Sequence, residues 1–195
     1  MRKLAILSVS ILALSSLGSA AVLVTLNSGQ PTGTGPFLWA YDAQLVAGTN
    51  GGELDSGDFF TIYDVGGISG ASNASAPANW TITAQLTGID PPTIVPPDNP
   101  AILNVTFQYT GPQILTSGSN IDLATGGTFF VISSADNFSF TGFQASQSHT
   151  QPSHVEDSVS SAITVPGSAT PEPTTFLLVG AGLTAIGLVR RRRIV

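Results

Sequence analysis

The chain contains no cysteine, which excludes a disulfide framework and a thiolate metal site. Basic residues are nearly as scarce, with six Lys and Arg among 195 residues against twelve Asp and Glu. All six lie near the two ends, as Arg2, Lys3 and the run Arg190, Arg191, Arg192, Arg193. A globular domain normally carries about a quarter charged residues of both signs. Here the interval 21–173 holds carboxylates only. With both tails set aside, its net charge of about −11 to −12 repels polyanions, so nucleic acid is excluded as a partner. The ends therefore read as addresses and the middle as cargo.

At the N-terminus, Arg2 and Lys3 precede an apolar stretch over residues 4–17, interrupted only by serines, and then Gly18, Ser19, Ala20 and Ala21. A positive start, a short apolar segment and a small-residue exit are what a translocon and signal peptidase require. Residues 1–20 are read as a signal peptide, forming a helix until cleavage after Ala20 or Ala21.

At the other end, Pro171, Glu172 and Pro173 are followed by two threonines, an apolar run over residues 176–189 and the four arginines. Fourteen helical residues span roughly 21 Å, less than the roughly 30 Å hydrocarbon core of a bilayer. The flanks compensate. Pro171 and Pro173 block helix extension upstream, arginines resist translocation, and their side chains can snorkel to the interface. Residues 174–195 are read as a short transmembrane helix stopped by Arg190, Arg191, Arg192 and Arg193, with its N-terminus outside.

This order of Pro-Glu-Pro, apolar helix and arginine cluster resembles the PEP-CTERM sorting signal of Gram-negative bacteria. The resemblance implies recognition by an exosortase, an integral-membrane transpeptidase that cuts near the motif. It then implies an inner-membrane-anchored precursor passed on to the cell surface or extracellular matrix. Pro171, Glu172 and Pro173 would be the recognition motif. These residues are substrate for another enzyme. A Gram-positive sortase tail would need Leu-Pro-x-Thr-Gly, which does not precede Phe176, and a GPI signal does not close with four arginines.

The cargo, residues 21–165, is one domain by length. It is rich in Gly, Ser, Thr and β-branched or aromatic residues and poor in helix formers. Trp80, Ile82, Ala84 and Leu86 alternate with Thr81, Thr83 and Gln85, and Leu103, Val105, Phe107 and Tyr109 alternate with Asn104, Thr106 and Gln108. Further strands are predicted over 22–26, 38–46, 59–65, 128–133, 137–144 and 159–165, with turns at Gly51, Gly66, Gly118 and Gly126. The expected fold is all-β, a single antiparallel β-sandwich or jelly-roll-like domain between the two terminal helices. The five-proline stretch 90–100 is expected to be a loop or an edge crossing between two halves of the sheet. Segment 146–157 is polar and without periodicity, hence outside the core. Residues 166–173 form a linker with the Pro-Glu-Pro motif.

For chemistry, there is no His-Glu-x-x-His and no Gly-x-Ser-x-Gly. His149 and His154, the two histidines of the chain, read as solvated linker residues. Glu53, Asp55 and Asp58 cluster in one Gly-containing stretch and are candidate calcium ligands, since hard oxygen donors on a tight turn suit that ion. Without a basic partner in the cargo they must be solvated, protonated or metal-bound. No other cofactor is expected. The first expectation is a non-enzymatic surface or matrix protein, with signal peptidase, translocon, exosortase and the membrane as its partners. A carbohydrate-binding or adhesion module for exopolysaccharide is the alternative, marked by a solvent-facing aromatic row. A secreted hydrolase would need a cleft with two convergent carboxylates.

Overall fold

The computed structural model describes residues 21–139 and 142–167. In chain order the strands are β1 (Ala21–Leu26), β2 (Phe37–Val46), β3 (Gly52–Leu54), β4 (Phe59–Ile62), β5 (Ala74–Ser75), β6 (Trp80–Gln85) and β7 (Asn104–Tyr109). They continue as β8 (Ile114–Leu115), β9 (Ile121–Asp122), β10 (Phe129–Ser133), β11 (Phe138–Ser139), β12 (Phe143–Thr150), β13 (Val155–Ala162) and β14 (Val165–Pro166). The described residues are thus all-β apart from a 3-10 turn at Ala71–Asn73. Among them no helix is long and apolar enough to cross a membrane. The predicted signal segment 1–20, the Pro-Glu-Pro motif and the anchor 174–195 lie outside the described residues.

Two antiparallel sheets hold twelve of the fourteen strands. One runs β1-β2-β10-β5, with β9 added to β2, and the other runs β6-β7-β4-β12-β3-β8, with β13 added to β12. β11 and β14 make a separate two-stranded ribbon. Both sheets feed one core. Val22, Trp39, Tyr41, Leu45, Phe129 and Val131 come from the first sheet, and Phe60, Ile62, Val105, Phe107 and Tyr109 from the second. Phe129 is its centre, with ring centroids 5.1 Å from Phe60, 5.4 Å from Phe107 and 5.0 Å from Trp80, all edge-on. Edge-on pairs of this kind add about 0.5–1.5 kcal/mol each beyond the area they bury.

Both alternating segments form strands, but only β6 keeps one wet face: in β7 Asn104 and Thr106, on the polar side of the alternation, are buried with Val105 and Phe107, and Leu86 lies exposed beyond the end of β6. Along β6, Trp80, Ile82 and Ala84 are half-buried while Thr81, Thr83 and Gln85 face solvent. The segment 90–100 is a loop, but it joins β6 to β7, which are direct neighbours, and does not cross between halves of a sheet. It is pinned to the second sheet by Tyr63, whose hydroxyl donates to Asp90 at 2.7 Å and lies 2.9 Å from Ile89 O, and by Asn104, which donates to Asp98 at 3.0 Å.

The segment 146–157 departs from expectation. It supplies the end of β12 and the start of β13, paired as a hairpin of eight rungs from Phe143 with Ala162 to Thr150 with Val155. β12 lies inside the second sheet, and its Gln144, Ser146 and Ser148 are fully buried. Hydrophobic period could not reveal this strand because three of its four buried residues are polar. Burial is made tolerable by hydrogen bonds, such as Ser146 Oγ to Val22 O at 2.9 Å and Gln144 Nε2 to Ser161 Oγ at 3.0 Å. The predicted strand 137–144 is split, with β11 in the ribbon and β12 starting only at Phe143. β14 spans the expected boundary between domain and linker.

Candidate functional site

The register of β12 creates the site. His149 pairs with Glu53 of β3, and Gln147 pairs with Phe59 of β4. Two steps along β12 therefore correspond to six along its neighbour, and the surplus residues loop out as an enlarged bulge. Gly57, at φ 109°, permits the turn. The loop is tied down on three sides. Asp58 N donates to Asp55 O at 3.0 Å, Asp55 N donates to Asp58 Oδ2 at 2.7 Å, and Gly57 N donates to Tyr109 O at 2.9 Å.

The tip of the β12–β13 hairpin folds over this bulge. Gln151 Nε2 donates to Gly52 O at 2.8 Å and Thr116 O at 3.1 Å, clamping the turn to β3. His154, held at φ 49°, then presents Nδ1 to Glu53 Oε1 at 2.7 Å and to Asp55 Oδ2 at 3.8 Å. From β12 itself, His149 Nδ1 lies 3.1 Å from Asp58 Oδ2 and 3.8 Å from Asp55 Oδ2. Gln113, placed beside β3 by β8, donates through Nε2 to Glu53 and, at 3.2 Å, to Asp55.

Glu53, Asp55 and Asp58 are thus brought together, as their clustering in the sequence suggested. What sequence reasoning missed is that both histidines join them. The available signal was Pro152 within a polar stretch, a turn residue flanked by arms that could pair. His149 and His154 are not linker residues, because the hairpin they belong to is part of the sheet. Glu53 and Asp58 are 1% and 2% exposed. Burial pushes the Glu53 carboxyl above its ordinary range, and the neighbouring Asp55 adds to the rise. Burial likewise raises Asp58, opposed by the Asp55 amide and by His149. Asp55 is the shared member of two groups of potential ligands, Glu53–Asp55–His154 and Asp55–Asp58–His149, whose donor atoms lie within 4.8 Å of one another in each group.

Elsewhere, a cavity of about 510 Å³ is lined by Val65, Ile68, Ile102, Ser134 and Asp136 among others, and none of the cluster residues borders it. The tryptophans and tyrosines, the aromatics suited to stacking on sugar rings, turn inward: Trp39, Tyr41, Tyr63 and Tyr109 are buried and Trp80 packs against the core. Ala21, a candidate cleavage residue, is the first residue of β1. Ala20 and the sorting residues Pro171, Glu172, Pro173 and Arg190 to Arg193 lie outside the described residues.

A family model of the PEP-CTERM protein-sorting motif matches residues 169–193. The resemblance seen in the sequence is therefore real for the tail, and the motif implies export and handling by an exosortase, a membrane protein. No curated protein matches the chain.

Proposed function

We propose that this chain is a non-enzymatic protein of the cell surface or extracellular matrix, delivered by an exosortase-type transpeptidase acting on its tail. The observation that carries the reading is the sorting-motif match over residues 169–193. The route begins with translocon insertion and signal-peptide removal. The apolar run 176–189 and the four arginines hold the precursor in the inner membrane while Pro171, Glu172 and Pro173 are recognised. The two sheets over one core are read as a jelly-roll-like β-sandwich, acidic throughout, displayed outside the cell.

Exopolysaccharide binding is the second reading, and it is weaker because both tryptophans and all three tyrosines are buried or packed against the core. Hydrolysis has three convergent carboxylates in its favour, yet they sit within ion-pair distance of two histidines and away from the cavity. Retaining and inverting glycosidases separate their carboxyl groups by about 5 Å or more so that a sugar can enter between them.

The test is the C-terminus of the matured protein. Mass spectrometry of the surface fraction should show a chain ending near Pro173, and replacing Arg190 to Arg193 with serine should remove the protein from that fraction. A surface form that keeps its tail through Val195 would overturn the sorting reading.

A further inference from the structure

Both histidines of the chain meet three of its twelve carboxylates at one place, although no Lys or Arg stands between Lys3 and Arg190. Two of those carboxylates are all but inaccessible. Unpaired buried charge is strongly unfavourable, so such a cluster requires compensation. Within the cluster the Gln113 amide supplies only a dipole, and His149 and His154 are the other side chains within reach of the three carboxylates.

We propose that the cluster binds a divalent first-row transition ion of the zinc class, with Asp55, Asp58 and His149 as its protein ligands. Donors bound to a tetrahedral zinc at 2.0–2.2 Å stand about 3.3–3.6 Å apart. The spacings here bracket that value: His149 Nδ1 is 3.1 Å from Asp58 Oδ2 and 3.8 Å from Asp55 Oδ2. The longer one exceeds a hydrogen bond and lies within ion-pair reach. On the other side of Asp55 stand His154, 61% exposed against 19% for His149, and the buried Glu53. The fourth position falls to water.

The donor set selects the metal. Calcium takes six to eight oxygens, whereas imidazole suits zinc, nickel and copper. The ligands are also oriented from behind. Asp58 accepts from Asp55 N, and Asp55 accepts from Gln113, the kind of outer support that typically changes metal affinity by about 10- to 100-fold when removed. Bound there, the ion joins the β3–β4 bulge to β12 across 91 residues of chain. Its effect is to lock the second sheet. This inference concerns residues 53–154 and stands whether or not the tail is processed as proposed above.

The full-length protein in detergent, stripped with chelator, is titrated with zinc chloride and separately with calcium chloride by calorimetry, then loaded with cobalt(II) for visible spectroscopy. Zinc should bind at micromolar or lower concentration, about 100-fold or more tighter than calcium, and raise the unfolding temperature. Cobalt should show ligand-field bands of a nitrogen-containing, low-coordinate site. Asp55→Asn and His149→Gln should each weaken zinc binding about tenfold or more, with metal-free circular dichroism like the parent. Calcium bound as tightly as zinc, zinc binding unchanged in both variants, or no zinc binding at about 1 mM would each overturn the proposal. Should a variant fail to fold, the cobalt spectrum of the parent protein decides: bands typical of an all-oxygen octahedral site would also overturn it.

Discussion

His149 Nδ1 lies 3.1 Å from Asp58 Oδ2 although 91 residues of chain separate them. Their meeting depends on register. β12 pairs with β3 through His149 and Thr150 and with β4 from Gln147 onward, and only the bulge between β3 and β4 brings Asp58 back beside His149. A slip of one residue along β12 would turn His149 to the opposite face of the sheet.

The bulge should be sensitive at Gly57. A Cβ there meets no atom within 4 Å, so Gly57→Ala introduces no clash and acts through the backbone alone, whose φ is 109°. The expected loss is about 1–2 kcal/mol in urea unfolding. A variant as stable as the parent would show that the loop can take another conformation at no cost.

Phe129 joins the two sheets. Phe129→Ala removes a fully buried ring that touches Phe60, Phe107 and Trp80, and should cost about 3–5 kcal/mol. Phe138→Ala, at an exposed aromatic, is the control and should cost far less. Equal losses in the two variants would contradict a core shared between the sheets.

Alkaline pH should destabilise the domain. Tyr41, Tyr63 and Tyr109 all have their phenol pKa raised by burial, and for Tyr63 the neighbouring Asp90 adds to the effect. The folded pKa lies above the unfolded value of about 10. The stabilisation is therefore complete below pH 10 and is lost as pH rises beyond it, by up to about 1.4 kcal/mol per pH unit for each tyrosine still protonated in the fold. Urea midpoints between pH 9 and pH 11, about one unit either side of the free phenol value, measure the slope. Tyr63→Phe should flatten it, and a pH-independent midpoint would refute the account.

Signal cleavage should fall after Ala20. Ala21 is buried and pairs with Val46 as the first rung of the β1–β2 ladder, so a cut after Ala21 would remove that rung. The N-terminal peptide of the exported protein, read by mass spectrometry, should begin at Ala21. A product beginning at Val22 would show that the rung is dispensable.

Much of this molecule was legible before folding. The sorting motif is a run of side-chain chemistries in fixed order, read by membrane machinery from the extended chain, so local composition suffices to find it. β6 was legible because it buries one apolar face, and the alternation of Trp80, Ile82 and Ala84 records that directly. β7 was found by the same alternation, although Asn104 and Thr106 on its polar side are buried as well. The β12–β13 hairpin was not. Gln144 and Ser146 are buried with hydrogen bonds to Ser161 and Val22, and no local hydrophobic pattern encodes those partners.

The site divides in the same way. Glu53, Asp55 and Asp58 are neighbours in the chain, so their clustering and the want of a basic partner were evident from the sequence by itself. The arrival of His149 and His154 was decided by tertiary structure alone. Strand pairing over nearly a hundred residues, one enlarged bulge and a hairpin tip folded over β3 convert two unremarkable polar positions into neighbours of buried acids. Charge and hydropathy are properties each residue carries with it, whereas register belongs to the sheet as a whole.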